Sequence, residues 1–203
     1  AIVNPASGPG TKADPNHLKL LERAAASRIR LIGYVSTSYA KRPLADVKAD
    51  IDRWPQFYPG LVGVFLDEQS SDIKHVDYYA ALRKHARAIK GCDLVVTNPG
   101  TICSEKYFSE PAADAACLFE GPKMFDAAAF PAWAARYGPE RKAVLSYKIA
   151  DEKALRDGIR QAFDRGVGFV YITDADGANP WDRLPAYWDA EVAAVRALQP
   201  KKK

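Results

Sequence analysis

The sequence predicts an α/β chain of barrel type, in which short buried parallel strands alternate with amphipathic helices. Three observations carry that prediction. Apolar runs of a few residues recur along the whole chain and are near-continuous rather than alternating, as in parallel strands covered on both faces. Between them lie segments with apolar residues at spacings of three and four, the pattern of a helix with one buried face. Nearly every apolar run ends on a polar residue, and in a parallel barrel those ends gather on one face.

Taken in order, Ile2-Val3 reads as the first strand, followed by the Asn4–Gly10 loop. Asp14-Pro15 supplies an N-cap and a first-turn proline for a helix carrying Leu18 and Leu21. Strands follow at Arg30 to Val35 and Gly63 to Leu66, separated by a helix whose face is Leu44, Val47, Ile51 and Trp54. A second such face, Val76, Tyr79, Leu82, Ala86 and Ile89, precedes the strand Leu94 to Val96. The next unit is the weakest, since Ser104 to Phe108 gives barely a turn or two before Pro111. Strands at Ala115 to Phe119, Ala143 to Tyr147 and Phe169 to Ile172 complete the set. Asp151 caps a helix with Leu155, Ile159 and Phe163 on one face, and the last helix carries Leu184, Tyr187 or Trp188, Val192 and Val195. Gly91, Gly138 and Gly166 follow helical segments, where a left-handed C-cap favours glycine.

Seven strand–helix units is one short of the eight that close a barrel, and because the chain opens on a strand a missing first unit is expected. A doubly wound open sheet is the rival, but it would want a glycine-rich phosphate turn after its first strand. Asn4-Pro5-Ala6-Ser7-Gly8-Pro9-Gly10 puts two prolines where N–H donors would be needed, which favours the barrel. No linker or shift in composition divides the 203 residues, so residues 1–200 are expected to form one domain, with 201–203 as a basic tail.

Composition excludes several classes of function. The net charge of +4 owes three charges to Lys201-Lys202-Lys203; without them 26 basic residues face 25 acidic ones, and no basic stripe for nucleic acid remains. No stretch approaches the ~20 apolar residues of a membrane span. Cys92, Cys103 and Cys117 are an odd set without metal spacing; they read as small buried thiols, with one bridge left open. His17, His75 and His85 all fall on predicted helices, against a His-rich zinc site and a Ser-His-Asp triad. No metal or organic cofactor is expected.

The strand ends remain: Asn4, Ser36-Thr37-Ser38-Tyr39, Asp67-Glu68, Asn98, Glu120, Tyr147-Lys148 and Thr173-Asp174 with Asp176. Phe65-Leu66-Asp67-Glu68 and Leu118-Phe119-Glu120-Gly121 each drive an acid to the end of an apolar strand. Burying such groups costs several kcal/mol unless they are paired or partly wetted, so two strands bearing that cost suggest use. A rim ion pair with Lys148 or Arg42 would explain one of them without chemistry. Lys148 itself reads as an ion-paired lysine, with a Schiff base as the second possibility. Tyr34, Tyr39, Tyr147, Trp181, Tyr187 and Trp188 offer flat faces for sugar rings, Trp181 foremost, although a place in the core would explain most of them equally well.

On these residues the chain resembles the spherulin-4 family, which includes glycoside hydrolase family 135. The resemblance rests on Ile2-Val3-Asn4-Pro5 with Ser7-Gly8-Pro9-Gly10, Gly33 to Tyr39 with Arg42-Pro43, and Asp50-Ile51-Asp52 with Trp54 and Tyr58-Pro59. Gly63 to Glu68, Asn98-Pro99-Gly100 and Phe119-Glu120-Gly121 follow in the same order. It implies a (β/α) barrel whose first strand and helix precede this segment. It also implies endo-acting cleavage of an α-1,4-linked galactosamine- or N-acetylgalactosamine-containing polysaccharide, with an acidic trio matching Asp67, Glu68 and Glu120. On that footing Asp67 is expected as nucleophile and Glu120 as acid/base in a retaining mechanism, with Glu68 supporting and the Asp67/Glu68 roles open to exchange. Asn4, Tyr39, Asn98, Tyr147, Asp174 and Trp181 are the expected substrate contacts. The expected setting is a secreted or surface monomer degrading exopolysaccharide, of the kind found in biofilms. The rival from another class is a surface protein that binds glycan without cleaving it. Adjacent residues on a regular strand point to opposite faces, so Asp67 and Glu68 can share a site only if the strand breaks there.

Overall fold

The computed structural model describes residues 1–27 and 29–198, so the basic tail 201–203 lies outside the described residues. Seven strands follow one another in the sheet in chain order. They are β1 (Ile2–Val3), β2 (Ile32–Ser36), β3 (Gly63–Asp67), β4 (Leu94–Thr97), β5 (Ala115–Gly121), β6 (Lys142–Ser146) and β7 (Phe169–Ile172). An eighth strand, which a closed barrel requires, is absent among the described residues. The residues cluster into two compact units, Ala1–Pro99 with Cys103–Ala116, and Gly100–Ile102 with Cys117–Lys203. No helix among the described residues is long and apolar enough to cross a membrane.

In the first unit the strands are parallel, with Gly33 opposite Val64, Ser36 opposite Asp67, and Val64 opposite Val95. The register sorts side chains into two faces. Gly33, Val35, Val64, Leu66 and Val95 look toward the helices. There α2 (Leu44–Phe57) sets Trp54 so close over Gly33 that a Cβ would stand 2.3 Å from the indole. Ile32, Phe65, Val96 and Ala115 form a separate apolar cluster on the other face, with Tyr34 packed against it. Burial on both faces explains why these strands read as continuous apolar runs.

The helices of this unit form where spacing and caps dictate. Asp14 accepts the N–H groups of Asn16 and His17, starting α1 at Pro15, and α1 ends at Ala26. In α3 (Val76–Arg87) the buried residues are Val76, Tyr79, Leu82 and Ala86, four of the five expected. Between β4 and β5 only the four-residue α4 (Lys106–Ser109) forms.

The second unit departs further from the sequence reading. Gly138 has φ −59° and is no left-handed cap; it leads into the last of three short 3-10 turns, at Ala127–Ala129, Ala132–Arg136 and Pro139–Arg141. Lys142, only 2% exposed, holds the middle turn by donating from Nζ to the carbonyls of Ala134 at 2.9 Å and Tyr137 at 2.8 Å. Gly91 and Gly166 do adopt positive φ, 86° and 63°. Asp151 caps α5 (Glu152–Asp164), whose Leu155 and Ile159 are buried, whereas Phe163 is exposed. Leu184 is likewise exposed and precedes α6 (Trp188–Leu198). The strand β7 is not buried on both faces, Phe169 being exposed. It is the last strand in the sheet order, and this explains the difference: Thr173 N–H reaches Ser146 O on β6, while Ile172 N–H points the other way and is taken by Glu191 of α6 at 2.9 Å.

Candidate functional site

Asp67 is the last residue of β3 and half-buried. The register puts it on the face of Tyr34 and Phe65, away from α2 and α3. Tyr34, one strand over, donates its hydroxyl to Asp67 Oδ2 at 2.7 Å; Asn98, just past β4, donates from Nδ2 to Oδ1 at 2.8 Å. Both carboxylate oxygens are thus aimed by neutral donors from the two flanking strands, and no cation pairs with Asp67 among the described residues. Asn98 is itself fixed, its N–H going to Leu66 O and its carbonyl accepting from Gln69 N–H.

Glu68 resolves the difficulty of two adjacent acids. Its φ is +53°, in the left-handed region that residues with a Cβ avoid, so the pleat ends at Asp67. The carboxylate then returns to the Asp67 side, where Ser36 Oγ donates to its Oε2. Ser36 stands opposite Asp67 in the register, which ties the three side chains to one face. The chain after β2 is equally unusual. Ser38, Tyr39 and Ala40 have φ of 46°, 57° and 65°, three left-handed residues in succession. Tyr39 N–H donates to Glu68 O at 2.8 Å, so the two irregular segments are joined, and the Tyr39 side chain, 52% exposed, is left facing solvent.

Arg42 is not the partner of either acid. It binds Asp50 at 2.6 Å and the carbonyl of Ser36 at 2.7 Å, fixing the backbone behind the site. Asn4 is exposed, and its Oδ1 accepts Gly8 N–H at 2.9 Å, which shapes the Asn4–Gly10 loop. The first unit therefore brings together Asp67, Glu68 and Asn98, with Tyr34 and Ser36 added.

In the second unit, Glu120 is the penultimate residue of β5 rather than a residue beyond it, half-buried, with its N–H on Gly100 O at 3.0 Å. Trp181, 36% exposed, stands edge-on to Tyr147 at 5.6 Å between ring centroids and tilted to Tyr171 at 6.0 Å. This gives an open indole braced by two phenols, the arrangement a sugar-stacking platform needs. Asp174 is engaged with Arg183 at 2.9 Å and with Ala186 N–H at 3.2 Å. Burial opposes its charge, yet the Arg183 hydrogen bond and the Ala186 N–H hold its carboxyl below the usual carboxylate range. Its part is thus to fasten the segment that carries Trp181. Lys148, at φ +62°, pairs with Asp176 at 2.7 Å. The hydrogen bond and charge of Asp176 push the ammonium's pKa up, opposite to what a Schiff-base lysine needs.

All three cysteines are buried free thiols. Among the described residues no group of three or more His, Cys, Asp and Glu side chains gathers to hold a metal ion. Neither the bond from Tyr34 to Asp67 nor that from Ser36 to Glu68 follows from the sequence alone. Strand parity carries the signal for both, since each partner lies on the same face of β2, but only once the β2–β3 register is known.

Comparison with known proteins places this architecture. Sph3 of Aspergillus clavatus, solved in complex with GalNAc, superposes with a TM-score of 0.82 at 24% identity, covering 96% of this chain and 84% of that one. The BexX/CysO complex of Amycolatopsis orientalis gives a TM-score of 0.54 at 15% identity, a likeness of fold alone. Spherulin-4 of Physarum polycephalum is 30% identical over 209 residues, covering 98% of this chain but 62% of its own length. The chain thus spans about three-fifths of that curated relative. The family model described as spherulation-specific family 4 matches residues 1–195, which include every strand and every acid discussed above. The chain belongs to spherulation-specific family 4.

Proposed function

We propose that this chain is a glycoside hydrolase that cleaves, in endo fashion, an α-1,4-linked polysaccharide of galactosamine and N-acetylgalactosamine. It works outside the cell or at its surface, as a monomer without cofactor, on a barrel-type fold. The observation that carries the reading is the presentation of two consecutive acids on one face. Regular strand geometry forbids that, and a left-handed Glu68 achieves it at a conformational cost. Strain of this kind at the end of a buried strand is hard to account for by packing alone. The amino-sugar class is supported by the structural neighbour, which holds GalNAc.

In this reading Asp67 attacks the anomeric carbon while Glu120 gives its proton to the departing oxygen; Glu120 then takes a proton from the water that releases the sugar. Tyr34 and Asn98 hold both Asp67 oxygens in place, so that attack requires no reorientation. Glu68 positions the sugar beside it, and Asn4, Tyr39, Tyr147 and Trp181 line the path of the chain. Asp67→Asn and Glu120→Gln test the assignment, because each keeps shape while losing charge or proton. Cleavage, followed as new reducing ends, should fall by about 10²–10⁴, with glycan affinity held within roughly tenfold. Loss of affinity in step with cleavage would instead mark a protein that binds glycan without cutting it, and full cleavage by Glu120→Gln would remove that residue from the mechanism.

A further inference from the structure

The left-handed backbone at Glu68 needs something to hold it, and the holding groups lie on the opposite side of the sheet from the carboxylates. Thr37 follows Ser36 and turns toward the helices. Its Oγ1 stands 2.8 Å from the carbonyl oxygens of both Asp67 and Glu68 and 2.8 Å from the hydroxyl of Tyr79, in α3. Thr37 and Tyr79 are both fully buried.

The donors sort themselves. Ser70 N–H, which can only donate, gives to the Tyr79 oxygen at 2.9 Å. The two carbonyls can only accept, so the Thr37 hydroxyl proton goes to them. The Tyr79 proton then goes to Thr37 Oγ1 at 2.8 Å or directly to Glu68 O at 3.4 Å, and either way Tyr79 braces the same carbonyl. Burial pushes the Tyr79 phenol up to about 12, so it keeps that proton through the working range of pH. Two backbone bonds complete the lock, Thr37 N–H to Asp67 O at 3.0 Å and Tyr39 N–H to Glu68 O at 2.8 Å. The relay runs from the Ser70 backbone through two buried hydroxyls to the two peptides that flank Glu68.

We propose that Thr37 and Tyr79 are positioning residues whose hydroxyl relay holds Glu68 left-handed and thereby brings its carboxylate beside that of Asp67. The proposal rests on the hydrolase reading for its catalytic consequence. Its geometric content stands apart from that reading, and the two are tested separately.

Thr37→Val keeps the shape of the side chain and removes the hydroxyl; Thr37→Ser restores the hydroxyl alone; Tyr79→Phe cuts the relay one step earlier. Each is made in the full chain and measured for melting temperature, crystal structure, and kcat and KM on a purified α-1,4-galactosamine/N-acetylgalactosamine polysaccharide. Thr37 also binds the carbonyl of Asp67, so its loss misplaces the attacking carboxylate together with Glu68, and a misplacement of about 1 Å there is worth roughly a hundredfold in rate. Thr37→Val should therefore lose about that factor in kcat with KM unchanged, and Thr37→Ser should recover most of it. In the Thr37→Val crystal, Glu68 should leave the left-handed region and lose its bond from Ser36. A folded Thr37→Val with wild-type kcat and an unmoved Glu68 overturns the proposal, as does a loss that Thr37→Ser fails to repair. If Thr37→Val does not fold, Tyr79→Phe carries the same two readouts. If the wild type cleaves nothing, the hydrolase reading fails, and the position of Glu68 in the variant crystals still decides the relay.

Discussion

Glu191 gives the sharpest test of the energetics. It lies in the first turn of α6, 3% exposed, with Oε1 on Ile172 N–H at 2.9 Å and Oε2 buried without a hydrogen-bond partner among the described residues. The phenols of Tyr171 and Tyr187 face it and no cation pairs with it among the described residues. Burial raises its pKa from the ordinary 4.5 to about 7, with the Ile172 N–H pulling weakly the other way. A carboxyl with a raised pKa binds its proton more tightly folded than unfolded. Its contribution to stability is therefore complete below about pH 4.5 and is lost as pH rises through about 7. At about 1.4 kcal/mol per pH unit, the whole effect is about 3 kcal/mol, of which roughly 2–3 falls between pH 5 and pH 8.

Glu191→Gln keeps an acceptor for Ile172 N–H and removes the titration. Thermal unfolding of both proteins across that range should show the wild type losing ground to the variant by roughly 4–12 °C, at 2–4 °C per kcal/mol for a chain of this size. Amide exchange at Ile172 should stay protected in the variant. Glu191→Leu, which orphans that N–H, should lose the protection and a further ~1–3 kcal/mol. Parallel pH profiles for wild type and Glu191→Gln would refute the reasoning, because the carboxyl would then titrate alike in both states.

The sequence made the fold legible in proportion to how locally each feature is determined. Apolar continuity located all seven strands, most clearly β2 to β5, where cover on both faces leaves no room for alternation; β3 and β5 overran their expected ends by one and two residues because the acids themselves continue the pleat. Caps were equally legible at Asp14 and Asp151, where a side chain two or three positions away from its target decides the matter. What failed was set at a distance. Gly138 read as a cap, but the turn before it answers to Lys142 reaching back to Ala134 and Tyr137. Arg42 read as a possible partner of an acid at the rim, but Asp50, one helix face away, claims it. At the candidate site, Asp67, Glu68 and Asn98 were visible as polar residues at strand ends, and their mutual placement was not. No glycine announces the left-handed turn at Glu68, since it is imposed by Thr37 and Tyr39 from a strand end some thirty residues earlier. A strained residue with a Cβ is the kind of feature that local propensity misses and tertiary hydrogen bonds enforce.

Two further predictions bear on function. Lys148 should give no adduct when borohydride is added with a carbonyl substrate, because Asp176 keeps its amine protonated; a trapped adduct at Lys148 would restore the Schiff-base reading of that residue. Gly33→Ala should damage stability and activity together. Its new methyl would stand 2.3 Å from the Trp54 indole, which is buried and held by its Nε1 donating to Tyr34 O at 3.1 Å. Overpacking of this kind costs about 1–3 kcal/mol, and here the strain falls on the peptide of the residue that aims Asp67. Melting temperature and kcat should therefore both drop, while Trp54→Phe with Gly33→Ala, which vacates part of the indole's volume, should recover some of each. A Gly33→Ala protein with lowered stability but unchanged kcat would show that Tyr34 is not what fixes the Asp67 carboxylate for attack.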